Sequence, residues 1–307
     1  MRTELSILIV NWNTKNCLSD CLKSVYNKVD KAVNYEIIVV DNASSDKSAD
    51  MIKGEFPKVK LIVNKENIGF GRACNQAAKA ARGKYLLLLN PDTVIIRVNF
   101  KEISGILAER TDIGAIVPVI YSKDGNLKYN MTRTIPKIRD VFNYYILHNR
   151  LRFKAAQPVN ANEMQVHEYP SGSCFLIKKT LFQRIGGFDE HYFLFFEDAD
   201  LGVRLNKYYL KTISLPAFRI IHIAGKSTEQ NTVATNLSGH QSTLYFFRKT
   251  HGIMSYIAIK FILIVGTYFE LVSLLIKWFM GHKIRSSYRQ LIANNLNIIK
   301  WHFSHTL

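Results

Sequence analysis

The sequence predicts an α/β fold in which a mostly parallel, Rossmann-like sheet is flanked by helices. Three observations carry this reading: continuous apolar runs at residues 5–10, 36–40, 59–63 and 85–89, helix-compatible stretches between them, and polar residues directly after each run. A run that is apolar without alternation belongs to a strand buried on both faces, as parallel strands are when helices cross over them. The linking stretches at 18–26, 46–56 and 71–82 have helical length. The last is rich in alanine, which favours the helix and lets it pack close to a sheet.

Beyond residue 99 the alternation of strand and helix weakens. Residues 114–120 read as a further strand, and residues 173–178 and 213–223 return to strand-like composition. The basic, aromatic stretch at 133–156 has no clear period. Near Asn236 the composition changes: Gly and Pro become rare, and aromatic, aliphatic and basic residues dominate. The expected division is therefore an α/β domain over residues 1–236 and a basic, apolar helical segment over 237–307, with no internal repeat.

Composition narrows the class of protein. A chain of 307 residues with 48% hydrophobic and 21% charged residues has ample material for a core, which excludes a disordered or collagen-like protein. Its formal net charge of +17 attracts phosphates, nucleic acid or anionic lipid without choosing among them. Four scattered cysteines make no disulfide framework, and an apolar run starting almost at Met1 leaves no room for a signal peptide, so a cytoplasmic location is expected. Cys17 and Cys21 share a helix face, but no second pair follows at zinc-site spacing. No RNA- or DNA-binding module is recognisable, so nucleic acid is not an expected partner.

Ligands of open α/β sheets bind beyond the carboxyl ends of the strands. Here those ends are Asn11-Trp12-Asn13, Asp41-Asn42, Asn64 and Asn90-Pro91-Asp92. Asn and Asp also serve as turn formers and helix caps, a role that suits Asp46 and Thr93. Four such ends at one sheet edge point instead to a site. The segment Gly69-Phe70-Gly71-Arg72 is too incomplete for a dinucleotide fingerprint, yet its glycines allow a close approach and Arg72 can face a phosphate. A helix start with a solvated arginine explains it as well.

A second group, Glu197-Asp198-Ala199-Asp200, follows Tyr192, Phe193, Phe195 and Phe196. Carboxylates beside so much apolar surface are partly desolvated, which suits a general base. Helix capping by Asp198 and pairing of Asp200 or Glu197 with Arg204 account for only part of the cluster. His222 lies in an apolar strand, the setting of an ordinary core histidine.

In order along the chain, these segments resemble the inverting family 2 glycosyltransferases, in particular their bacterial rhamnosyltransferase-like branch. The residues that carry the resemblance are Ile9-Val10-Asn11-Trp12-Asn13, Val39-Val40-Asp41-Asn42-Ala43-Ser44-Ser45-Asp46, Asn67-Ile68-Gly69-Phe70-Gly71 with Asn75, Leu89-Asn90-Pro91-Asp92, Gly186-Gly187-Phe188-Asp189-Glu190, Glu197-Asp198-Ala199-Asp200-Leu201, and His222 with Gly225 and Ser227. The resemblance implies a GT-A fold and a nucleotide-diphosphate sugar donor. It gives Asp41 to the donor's base and Asn11 and Asn13 to the first part of the nucleotide pocket, with Asn67, Gly69, Arg72 and Asn90 also on the donor side. Asp92 matches the last acid of the DxD-type motif and, with His222, implies a site for Mg2+ or Mn2+; the first position of that motif is here the neutral Asn90. Asp198 matches the catalytic base, with Glu197 and Asp200 on the acceptor side or in support.

The reading that follows is an inverting transferase that moves a sugar, rhamnose from dTDP-rhamnose in the leading version, to a hydroxyl of a cell-envelope polysaccharide or lipid-linked glycan. The alternatives are a family 2 enzyme using a UDP-hexose or UDP-N-acetylhexosamine, and a non-catalytic nucleotide- or nucleic-acid-binding protein. Residues 253–280 are strongly apolar but are interrupted by Lys260, Glu270 and Lys277, and residues 240–307 carry eight basic side chains and one acid. This pattern fits a segment lying on an anionic cytoplasmic membrane face and a peripheral location there. A helical homodimer interface, extra core and a spanning hairpin are the other readings of the same segment.

Overall fold

The protein is described in a computed structural model over residues 3–127, 133–147, 160–223, 232–280 and 285–304. Gly225 and Ser227 lie outside the described residues. The chain divides into two compact units, Met1–Ile135 with Ala155–Asn231, and Pro136–Lys154 with Thr232–Leu307.

The first unit begins with strand β1 (Leu5–Asn11), helix α1 (Lys15–Lys28), β2 (Tyr35–Asp41), α2 (Ser48–Glu55), β3 (Lys60–Val63), α3 (Phe70–Ala80) and β4 (Tyr85–Leu89). The expected strands and helices of this region are all present. The four strands pair in the parallel order β3-β2-β1-β4, so their carboxyl ends share one edge. Both faces are covered. Ile7 and Ile9 of β1 pack with Leu18, Leu22 and Val25 of α1 and with Ile52 of α2, while Leu8 and Val10 pack with Ala73 and Ala77 of α3. Each fully buried aliphatic side chain contributes about 1.5–3 kcal/mol, so the lack of alternation in the sequence follows directly from burial on two sides.

Beyond β4 the sheet becomes mixed. The remaining elements of this unit are β5 (Thr93–Val98), α4 (Phe100–Glu109), β6 (Ile113–Tyr121), β7 (Gln165–His167), β8 (Cys174–Lys178), α6 (Lys179–Arg184), α7 (Glu197–Lys207) and β9 (Lys211–His222). The sheet continues β4-β8-β6-β9-β5, with β7 paired to β9. Strands β6 and β9 run parallel, whereas β8 is antiparallel to β4 and to β6, and β5 is antiparallel to β9. Strand β5 is absent from the sequence reading. The chain reverses within Asn90-Pro91-Asp92, where the Thr93 backbone N–H and hydroxyl both donate to the Asn90 carbonyl oxygen, at 3.2 and 2.5 Å. The reversal sets Thr93 opposite His222.

Helix α7 owes its seat to Gly202. A Cβ there would come 2.1 Å from Tyr169 Cβ and 2.7 Å from Tyr169 Cα. The Asn206 side chain donates to the Glu168 carbonyl oxygen at 3.1 Å and fixes the same contact one turn later.

The second unit comprises α5 (Ile138–Tyr145), α8 (Thr232–His251), α9 (Ile253–Phe279) and α10 (Arg285–Ser304). Helix α5 approaches α9 at Gly266, where an added Cβ would meet Tyr145 Cβ at 2.7 Å. His240 of α8 and His302 of α10 face each other at 2.9 Å, Nδ1 to Nε2. Burial holds them down to about 3 and about 4, respectively, so both rings are neutral and one donates to the other. Although the charged residues interrupt its sequence, α9 is a continuous helix of 27 residues, about 40 Å long at ~1.5 Å per residue. It is long and apolar enough to cross a membrane by length and composition. Ile259, Ile262, Leu263, Gly266, Leu271 and Leu274 are buried, while Met254, Ile257, Phe261, Tyr268, Phe269, Ile276 and Phe279 are exposed. At ~100° per residue, Lys260, Glu270 and Lys277 all fall outside the half of the helix centred on these exposed residues.

Gly202→Ala is expected to destabilise the protein by about 1–3 kcal/mol, because overpacking against Tyr169 outweighs the ~1 kcal/mol that Ala gains over Gly within a helix. Chemical denaturation of the two proteins measures this difference.

Candidate active site

At the end of β1, Asn11 and Asp41 are fully buried and joined through the loop after β2. The Asn11 Nδ2 group donates to Asp41 Oδ1 at 2.8 Å and to Ser44 Oγ at 3.0 Å, and Ser44 N donates to Asp41 Oδ2 at 3.0 Å. Thr14 Oγ1 donates to Asn11 Oδ1 at 2.6 Å. Asn13 closes the other side: its N–H donates to Ser44 Oγ at 2.9 Å and its Oδ1 accepts from Ser45 N at 2.7 Å. Asn13 and Ala43 have positive φ, 52° and 61°, conformations that this mutual bonding holds in place. Asp46 accepts from Lys15 N at 2.7 Å and Ser48 N at 3.0 Å, tying α1 to the start of α2.

A chain of side-chain amides crosses the next strand ends. Gln76 and Asn64 exchange hydrogen bonds at 3.0 and 3.1 Å, Asn64 donates to Asn42 Oδ1 at 2.8 Å, and Asn42 donates to Asn67 Oδ1 at 3.2 Å. Asn67 Oδ1 also accepts from Gly69 N at 3.0 Å. Gly69 is required where it stands: its φ is +86°, and a Cβ would lie 2.7 Å from the Phe193 carbonyl oxygen. Phe70 N donates to that same oxygen at 2.9 Å. Asn75 holds the loop before α7 by bonds with Phe188 N and O and with Glu190, all near 2.9–3.0 Å. Arg72 pairs with Glu190 at 3.3 Å between two half-exposed side chains.

The β4–β5 reversal carries Asn90 and Asp92. Asn90 Oδ1 and Asp92 Oδ1 are buried and accept no hydrogen bond. His222 Nε2 lies 3.3 Å from Asp92 Oδ1, close enough for an ion pair when the ring is protonated. The set is two hard oxygens from the β4–β5 reversal and an imidazole from the end of β9. Oxygen donors of this kind suit Mg2+ or Mn2+. Among the described residues no group of three His, Cys, Asp or Glu side chains is gathered to hold a metal ion. A cation here would complete its shell with substrate phosphate oxygens and water.

The acidic group opens α7. Phe195 and Phe196 precede it with φ of 69° and 65°, two left-handed non-glycine residues in succession, each costing about 1–3 kcal/mol. Glu197 is buried, and its Oε2 has no hydrogen-bond partner. Asp198 is half-buried and accepts from Gly172 N at 2.9 Å and Ala199 N at 2.8 Å. Burial raises both carboxyls above their usual range, Glu197 further through the neighbouring Asp198. Asp200 is buried and bonded to Arg204 at 2.8 Å, and Arg204 donates to the Ile185 and Gly187 carbonyl oxygens at 2.6 and 2.5 Å. Asp200 thus supports the loop that Asn75 grips from the other side.

Residues 171–173 link the two clusters. Ser173 O accepts from Asn90 N at 2.9 Å, and one residue earlier Gly172 N donates to Asp198. The sequence reading does not include Gly172, Ser44, Gln76 or Arg133 among the site residues. Arg133 acts electrostatically on Asp198 and lies over the Tyr169 ring, 5.8 Å from its centroid. Cys21, by contrast, is buried under the β4–β5 reversal, with its thiol pushed up to about 12 mainly by burial, and belongs to the core.

Comparison with known proteins agrees with this geometry. The family model for Glycosyl transferase family 2 matches residues 6–198. The N-acetylglucosaminyl-diphospho-decaprenol L-rhamnosyltransferase of Mycobacterium tuberculosis (strain CDC 1551 / Oshkosh) is 25% identical over 267 residues, 82% of this chain and 86% of its own. Among solved structures, GalNAc-T7 with UDP, GalNAc and Mn2+ superposes with a TM-score of 0.55 at 18% identity, over 80% of this chain and 50% of its own. The mannosyltransferase PcManGT from Pyrobaculum calidifontis in complex with GDP-Man and Mn2+ does so with a TM-score of 0.53 at 14% identity, over 97% and 86%. A nine-stranded sheet with a polar carboxyl edge, an acid pair beside it and a family match across most of that sheet lead to one conclusion: the chain belongs to glycosyl transferase family 2 and is a glycosyltransferase of GT-A fold.

Proposed function

We propose that this enzyme moves a sugar from a nucleotide-diphosphate donor to a hydroxyl of a lipid-linked or cell-envelope glycan with inversion at the anomeric carbon. The observation that carries the proposal is the short bridge at residues 171–173, which keeps the Asn90, Asp92 and His222 cluster and Asp198 on either side of one three-residue turn. A donor lying along the carboxyl edge would set its base near Asp41, within the Asn11–Asn13–Ser44 ring, its ribose and phosphates past Asn67, Gly69 and Arg72, and its diphosphate at Asn90 and Asp92. Rhamnose from dTDP-rhamnose is the favoured sugar, supported by the mycobacterial relative that spans most of both chains. The lipid diphosphate in that relative's name supports a polyprenyl-linked acceptor in the same way.

The chemistry is a single displacement. The acceptor oxygen forms a bond to the anomeric carbon, the bond from that carbon to the diphosphate breaks, and Asp198 takes the hydroxyl proton. Asp198 suits this role because two backbone N–H groups aim its oxygens while partial burial makes it more basic than a solvated aspartate. Asn90, Asp92 and His222 would hold a divalent cation, which would neutralise charge on the diphosphate leaving group. With Asn90 in place of an acid, the protein contributes one formal charge there, from Asp92, so cation and donor hold each other in the site. Glu197 and Asp200 shape the acceptor side without touching the reacting atoms.

The outer face of α9 suggests where the acceptor is met. Its exposed apolar side chains and the +7 of residues 240–307 fit an anionic cytoplasmic membrane surface, where each basic residue contributes about 1 kcal/mol and the apolar face adds a salt-resistant part.

Three outcomes are expected. Asp198→Asn lowers turnover at least ~100-fold while nucleotide-sugar affinity stays within about twofold, measured side by side; near-normal turnover removes Asp198 from the base role. Chelation abolishes activity and Mn2+ or Mg2+ restores it, and Asp92→Asn weakens Mn2+ binding in titration calorimetry with donor present; full activity of metal-free enzyme contradicts the cation site. In flotation, the intact protein binds anionic vesicles in a partly salt-sensitive manner, and Phe261→Asp with Phe279→Asp reduces binding without loss of donor affinity. Equal partitioning of variant and parent, together with a concentration-dependent dimer, assigns the α9 face to self-association.

A further inference from the structure

The Glu197–Asp198 pair leaves a question that the catalytic reading depends on: burial raises both carboxyls above their usual range, so the pair can share one proton, and only the arrangement with that proton on Glu197 gives a base at Asp198. Groups from several elements face the pair. Gly172 N–H comes from the loop before β8, Cys74 of α3 is close enough to Glu197 to feel its charge, and Asp200, already paired with Arg204, follows on α7 itself. Among the described residues, the cation that acts on Asp198 is Arg133.

Arg133 is brought there by long-range contacts. Its N–H donates to His167 Nδ1 at 3.2 Å, its carbonyl oxygen accepts from Glu168 N at 2.8 Å, and two residues on Ile135 N donates to Glu168 Oε2 at 2.6 Å. His167 Nε2 meets Ser214 Oγ on β9 at 3.0 Å. Burial and the Arg133 charge hold His167 down to about 4, so the ring is neutral, accepts at Nδ1 and donates at Nε2. The guanidinium lies over Tyr169, whose Cβ sits against Gly202. Gly202 is four residues after Asp198 on α7 and therefore on the same helix face, one turn along. The His167 contact and the Tyr169 ring thus hold the Arg133 guanidinium beside Tyr169, whose Cβ packs one helical turn from Asp198.

We propose that Arg133 is a positioning residue of the transfer reaction, fixing the negative charge of the Glu197–Asp198 pair on Asp198 and leaving the shared proton on Glu197. The two partners differ in the way this requires. Asp198 accepts two backbone N–H groups, whereas Glu197 is more deeply buried and, among the described residues, has an oxygen with no donor. Ion-stabilising contacts are concentrated on one carboxyl and withheld from its neighbour. The inference rests on the assignment of Asp198 as the base.

The test is the pH profile of kcat/KM for transfer, with donor affinity measured alongside. Arg133→Met is expected to move the acid limb to higher pH, lowering kcat/KM about tenfold on the acid side and leaving the high-pH plateau and donor affinity near those of the parent. Arg133→Lys retains the charge and restores most of the limb. Tyr169→Leu removes the platform and moves the limb in the same direction by less; it keeps the test decisive should Arg133→Met fold poorly. An unmoved acid limb in both Arg133→Met and Tyr169→Leu overturns the proposal, as does a loss uniform across pH, which is the mark of a merely structural arginine. Asp198→Asn separates the two levels. If it is inactive while the limb stays put, only the role of Arg133 fails; if it turns over normally, the base assignment fails first.

Discussion

Two adjacent carboxyls at the start of α7 set the terms for much of the first unit. Neither Glu197 nor Asp198 is fully solvated, and like charges side by side in such a place cost several kcal/mol unless one is neutral and the other well bonded. The surroundings meet that condition unevenly. Gly172 and Ala199 give Asp198 two N–H donors, and the helix N-terminus favours negative charge. Holding the pair there also requires the left-handed Phe195 and Phe196, a strain of a few kcal/mol that the fold must offset. It does so on both flanks: Arg204, bonded to Asp200, takes the Ile185 and Gly187 carbonyls, and Asn75 of α3 takes both backbone groups of Phe188. Gly187, with φ of +65° and Asn75 Oδ1 where its Cβ would be, is the point at which these flanks meet.

The opposite side of the sheet edge is built on another principle. Around Asn11, Asp41, Asn42, Asn64 and Asn67, polar side chains satisfy one another across the ends of β1, β2 and β3. Buried amides and carboxylates without partners are costly, and an extended network of this kind is rigid because each member fixes the next. The edge is therefore shaped before any ligand arrives. Asn90 Oδ1 and Asp92 Oδ1 depart from that pattern: both are buried and, among the described residues, neither accepts a hydrogen bond, with only His222 Nε2 beside Asp92 at 3.3 Å. Oxygens left so in a site where every neighbouring amide is engaged are the natural positions for an exogenous cation or donor.

The second unit reverses the usual distribution of charge on a surface helix. Helix α9 turns its large apolar side chains outward and keeps Lys260, Glu270 and Lys277 on its other half, while α8 and α10 bury a neutral histidine pair between them. A water-facing helix gains nothing from seven exposed apolar side chains along one face, so this arrangement makes sense where that face is covered.

What could be read from the sequence, and what could not, follows the range of the forces involved. Strands β1, β2, β4, β6, β8 and β9 announce themselves because burial on both faces makes their runs predominantly apolar, interrupted only by single polar residues such as Ser6, Glu36 and Ser214. The four-residue β3 is legible from its short run at 59–63, placed between a strand and a helix. Strand β5 starts four residues after β4, mixes Thr93 and Arg97 with its aliphatics, and is half exposed, so the composition that marks the others is missing. Helix α5 hides in the basic stretch at 133–156 because its partner is α9, more than a hundred residues later. The same distinction holds at the site. Asn11, Asp41, Asp92 and Asp198 stand at ends of regular elements, where a polar residue beside an apolar run is conspicuous, whereas His222 lies among isoleucines and stands out only through the family resemblance. Arg133 stands in a segment with no period, one arginine among many in a chain of net charge +17, and acquires its position only when β7 pairs with β9 and Tyr169 closes on Gly202. No local pattern encodes such a contact, because every residue that defines it lies at least 34 positions away.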